Sequence, residues 1–98
     1  MTKRSDIEEA LRQLAPRIPC YEAGAIVDHA MDSRGLSPAS PQTAAWLSMV
    51  AFVRHALTEY DSLLEEGYDQ ESARHCVAGD IQAVLTEWGV RRPLSLHD

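Results

Sequence analysis

From Ser40 to Glu65 the apolar side chains recur in a pattern that only a helix covered on most of its circumference can bury. At about 100° per residue, Trp46, Met49, Val50, Phe52, Val53, Ala56, Leu57, Tyr60, Leu63 and Leu64 share one arc of roughly 200°. The strip left over holds Arg54, His55, Thr58, Asp61, Ser62 and Glu65. An arc that wide exceeds what a single neighbour can cover. The pattern predicts one long helix, ending near Gly67, at the centre of the molecule with other helices packed around it.

The flanking segments supply those neighbours. Ser5 with Glu8 reads as a capping box, and Ile7, Ala10, Leu11 and Leu14 follow at helical spacing. Pro16 and Pro19 stop that helix and force an extended link. A second helix is expected from about Tyr21 to Arg34, with Ile26, Val27, Ala30 and Met31 on its apolar face and Gly35 as a left-handed stop. Ser40 caps the third helix, with Pro41 in the first turn where a missing N–H costs nothing. Asp69 caps a fourth, whose stripe is Ala73, Val77, Ile81, Val84, Leu85 and Trp88, and Gly89 ends it. Gly79 falls inside that helix, away from the stripe, and nothing in the pattern explains it. No alternating run or Asn-Gly turn signals a strand. The expectation is an all-α chain: a compact bundle of four helices, the long third forming a hairpin with the fourth. Residues 1–98 make one domain, with 1–4 and 90–98 as frayed ends.

Composition narrows the function classes. The chain has 98 residues and a net charge of −6, with 45% hydrophobic and 24% charged residues, the profile of a globular protein. Nucleic-acid binding relies on Lys and Arg neutralising phosphates, and anionic membranes demand the same, so neither partner is expected. The Asp69-Gln70-Glu71 opening of the fourth helix would repel a phosphate backbone. No apolar run reaches the roughly 18 residues of a membrane span, and the N-terminus turns acidic and amphipathic too soon for a secretory signal. Cys20 and Cys76 are the only cysteines. Two are too few for a secreted disulfide framework, so reduced thiols in a cytoplasm are expected, with a 20–76 bridge as the other reading.

Two Arg-His dipeptides frame the most polar part of the chain. On the third helix His55 falls in the middle of the polar strip and Arg54 at its edge; on the fourth, His75 points outward. Arg74 falls within the apolar stripe, where an unpaired cation is expensive. Asp61, on the same edge as Arg54 and close to the Gly67 turn, is the expected partner, with Arg54 sharing its carboxylate and Thr58 or Tyr60 adding hydrogen bonds. One reading makes this cluster a clasp that sets the angle of the hairpin. The other makes Arg54, Asp61, Arg74 and His55 a pocket for an anion or small acid.

The run Arg54-His55-x-x-Thr58-x-Tyr60-Asp61-x-Leu63-Leu64-x-x-Gly67, followed by Ala73-Arg74 and Trp88, resembles the domain-of-unknown-function 2293 family, and the likeness extends over Leu36 to Leu47. The resemblance implies a bacterial or fungal setting and a concerted role for Thr58, Tyr60, Asp61 and Arg74. It implies no particular activity.

Other chemistries find no support in the spacing. Helical metal ligands recur three or four residues apart, and no His or Cys pair among Cys20, His29, His55, His75, Cys76 and His97 does so. His55 with Glu59 and Cys76 with Asp80 come nearest and read as solvated faces. Nucleophile elbows and phosphate loops are absent. No cofactor or metal is therefore expected. The reading is a non-enzymatic protein-interaction or structural module; its rival is a small anion- or metal-binding domain, or a degenerate enzyme, built on Arg54, Asp61 and Arg74. The partner is another protein or the chain itself. The broad apolar arc is covered either by a homodimer closed through the third or fourth helix or by the first two helices.

Overall fold

The computed structural model describes residues 3–33 and 39–95. They form five α-helices and no strand: α1 (Lys3–Leu14), α2 (Cys20–Asp32), α3 (Pro41–Ala56), α4 (Tyr60–Glu65) and α5 (Gln70–Glu87). The all-α reading holds. The expected stop at Gly35, the loop from Leu36 to Pro38 and the last three residues lie outside the described residues.

α3 is central, as its wide arc requires. It packs against each of the other four helices, while α1 pairs with α2 and α4 with α5. Trp46, Met49, Val50 and Val53 are buried at the middle of a core that Ile7, Leu11, Ile26, Ile81 and Leu85 join from α1, α2 and α5.

The expected long third helix is two helices. α3 stops at Ala56, three residues intervene, and α4 starts at Tyr60. Thr58 is the reason. Its hydroxyl donates to the Arg54 carbonyl and accepts the backbone N–H of Tyr60 at 3.2 Å. A side chain that bonds the local backbone in this way replaces rungs of the helix ladder. Leu57, expected in the buried arc, is left 45% exposed at the break, whereas Tyr60 beyond it is buried.

The caps form largely where expected. Ser40 accepts the Thr43 N–H at 3.2 Å, and Asp69 accepts that of Ser72 at 2.7 Å. Gly67 and Gly89 both take positive φ, 104° and 87°. After each, the next residue's N–H returns to an earlier carbonyl, Tyr68 to Leu63 and Val90 to Leu85, which is the Schellman closure. The expected Ser5 capping box does not start α1, because Lys3 and Arg4 are already helical.

The C-terminal segment is not frayed through residue 94. Val90 is buried, the Leu94 N–H donates to Gln82 at 3.1 Å, and the Arg92 guanidinium lies 4.2 Å from the centre of the Trp46 ring. The carbonyls that end α5 are met from the other end of the chain. Arg17 donates from its backbone to Trp88 O at 2.9 Å and from its side chain to Glu87 O and Thr86 O, both at 3.2 Å. A cation there also suits the helix dipole. Cys20 and Cys76 are free thiols, both exposed.

Candidate functional site

The break between α3 and α4 decides what becomes of the polar cluster. In an unbroken helix His55 and Asp61 would diverge by about 120°. With the break, Asp61 lies in the first turn of α4 and its Oδ1 is 2.7 Å from Nδ1 of His55, in the last turn of α3. An ionised carboxylate can only accept, so Nδ1 carries the proton and donates. The His55 ring meets Tyr60 edge to face, with centroids 5.2 Å apart, and the Arg54 guanidinium stands 5.7 Å from the Tyr60 centroid.

The expected Asp61–Arg74 ion pair is not formed. Asp61 is committed to His55. Arg74 is half-buried on α5, and its Nε is buried without a hydrogen-bond partner. Arg54, placed at the edge of the polar strip by its position on the helix, is 7% exposed. His75 is exposed, as expected. The structure thus brings Arg54, His55, Thr58, Tyr60 and Asp61 together around the break and leaves Arg74 and His75 out of their hydrogen bonds. Thr58 bonds the backbone on both sides of the break, Tyr60 is buried there and the His55–Asp61 pair spans it. Among the described residues no three His, Cys, Asp or Glu side chains gather to hold a metal ion.

A second feature lies away from this cluster. A groove of about 340 Å³ runs between α1 and α2. Leu11, Ala15 and Val27 form its buried base, with Ile18 and Ala23 half-buried above them. Its α1 wall is the row Arg4, Glu8 and Arg12, and Cys20 lies at its end. Beside Cys20 stands Tyr21, 80% exposed. Gly24 also lines the groove, and a Cβ built there meets nothing within 4 Å.

The charges on the α1 wall are already partnered. Arg4 donates to Asp28 of α2 at 2.8 Å and lies 3.9 Å from Glu8, and Arg12 lies 3.0 Å from Glu9. Hydrogen bonding to Asp28 pushes the Arg4 guanidinium above its ordinary pKa, so Arg4 stays charged. Sequence reasoning passed over this groove. Its signal was the spacing of Arg4, Glu8 and Arg12, four residues apart beside the Ile7–Leu11 stripe, opposite the small residues Ala23 and Gly24.

Among the described residues no helix is long and apolar enough to cross a membrane. Residues 10–89 match the family model described as "Uncharacterized conserved protein (DUF2293)". No curated protein and no solved structure matches the chain.

Proposed function

For this chain, which belongs to the DUF2293 family, we propose the role of a non-enzymatic protein-interaction module whose docking site is the groove between α1 and α2. The observation that carries this reading is an apolar groove open to solvent, with Leu11, Ala15 and Val27 at its base; Tyr21, next in sequence to the lining residue Cys20, is the most exposed large apolar side chain of the described residues. Exposed aromatic and aliphatic surface gathered at one place marks interaction sites, whereas scattered single residues do not. In the polar cluster at the helix break, by contrast, Thr58 is taken up by the backbone and Asp61 by His55.

Two variants test the reading without touching the core. Tyr21→Ala removes an exposed ring, and Gly24→Glu places a carboxylate in the groove where a new Cβ meets open space. Both should keep the wild-type circular dichroism and abolish capture of proteins that the wild-type domain retains. Leu57→Ala, at the exposed corner away from the groove, should retain them. Capture unaffected by either groove variant would reject the groove as the docking site.

A further inference from the structure

We propose that the occupant of this groove is an amphipathic helix of a partner protein that carries acidic, basic and acidic side chains at positions i, i+4 and i+8 beside its apolar face. The proposal rests on the groove being the docking site and adds the chemistry of what docks there.

The α1 wall presents Arg4, Glu8 and Arg12 in line. Residues four apart on a helix lie one above the other, about 6 Å apart. The wall is therefore a row of charges reading plus, minus, plus along roughly 12 Å of groove. The lining residues of the opposite wall, Ala23, Gly24 and Val27, are uncharged, and the Asp28 carboxylate next to them is held by Arg4, so the charges that an occupant has to match are those of the α1 row. Small residues also let a third helix approach to the usual separation of about 8–10 Å. A peptide docking as an added strand would need a sheet edge to pair its backbone, and the described residues contain no strand. A helix satisfies its own backbone and fits.

The pattern is palindromic. A minus-plus-minus helix matches it running in either direction, so the charges select a partner without fixing its polarity. The existing ion pairs do not stand in the way. Arg12 with Glu9 and Arg4 with Glu8 and Asp28 are surface pairs, which contribute little and exchange for intermolecular ones on docking. A second copy of this chain is a poor occupant: α1 laid antiparallel on α1, with Glu8 facing Glu8, sets like charge against like at all three positions. The net charge of −6 is felt weakly beyond the roughly 8 Å Debye length of physiological salt. Contact charges of this kind act chiefly on the choice between partners.

The test uses the full chain and three synthetic helical peptides that share one Leu/Ala face and differ only at the three flanking positions: Glu-Lys-Glu, Lys-Glu-Lys and Gln-Gln-Gln. Binding is read by fluorescence anisotropy. The Glu-Lys-Glu peptide should bind roughly tenfold more tightly than its inverse, the swing expected when three matched contacts become three mismatched ones. The order should reverse with R4E/E8K/R12E. If that variant misfolds, Arg12→Glu alone, at a side chain 71% exposed, should narrow the preference from tenfold to about twofold. Equal binding of all three peptides would overturn the charge pattern and leave the groove standing. Binding by none of them to the wild type would overturn both. A mass of twice 10.9 kDa in light scattering, lowered to one by Gly24→Glu, would put a second copy in the groove and overturn the heterologous partner.

Discussion

A Cβ added to Gly89 would stand 3.1 Å from Cγ of Pro16, so the turn that ends α5 and the turn that ends α1 meet closely enough that a side chain there would push on the Pro16 ring. Gly89 also has φ of 87°, a conformation that costs an L-residue about 1 kcal/mol or more. Gly67 has the same conformational demand, with φ of 104°, but open space around its Cβ position. Gly89→Ala should therefore destabilise the fold by about 2 kcal/mol, and Gly67→Ala by about half of that. Urea titration of the two variants separates them, and equal losses would mean that the contact with Pro16 contributes nothing.

The pair spanning the helix break is His55 with Asp61, and a double-mutant cycle should find it. Alanine at both positions should give a coupling energy of about 0.5–1.5 kcal/mol, the range for an intramolecular hydrogen bond. The same cycle on Asp61 with Arg74 should give a value within the roughly 0.3–0.5 kcal/mol scatter of independent sites. A large second coupling would restore the hairpin clasp expected from the wheel.

Gly79 lies inside α5, exposed, with nothing within 4 Å of a built Cβ. Gly79→Ala should stabilise the protein by about 1 kcal/mol through helix propensity alone, raising the melting temperature by about 4–8 °C in a domain of this size. A lowered melting temperature would show that this face of α5 is covered in solution.

Ser48 is fully buried in α3 and its Oγ has no hydrogen-bond partner. A buried unsatisfied hydroxyl costs about 1–3 kcal/mol. Ser48→Ala should be more stable than wild type by about 1 kcal/mol. A loss of stability would show that the hydroxyl is bonded in solution.

Asp69 should make stability fall on acidification. The backbone N–H of Ser72, with its side chain second, holds the Asp69 carboxyl below its ordinary 3.8. A depressed carboxyl contributes stability that is fully present above its unfolded pKa and is lost as pH falls through the lower, folded value. Asp69→Asn keeps the cap without the titration. Its melting temperature should fall less than that of wild type between about pH 5 and pH 3; parallel curves would assign the acid sensitivity to other carboxylates.

The features legible in the sequence were those decided within a few residues. Ser40 and Asp69 cap because their oxygens reach N–H groups three positions on, and Gly67 and Gly89 stop helices because only glycine takes their φ cheaply. The central place of α3 was legible because an arc of that width has to be covered on several sides. The break at Thr58 was not, since the apolar periodicity continues through it and the hydroxyl that diverts the backbone competes with the ladder by only a small margin. That one local choice moved Asp61 away from Arg74 and gave it to His55.

Taken alone, the sequence determined that the chain is helical, where α3 and α5 are capped and which helix lies inside, because those are contests between neighbouring groups along one chain. Tertiary structure decided the rest. Arg17 closes the end of a helix some 70 residues away, and the groove between α1 and α2 exists only because two helices pack with small residues on one side and a charged row on the other. Contacts of that kind depend on the angle and distance between elements, which side-chain packing sets and periodicity does not encode.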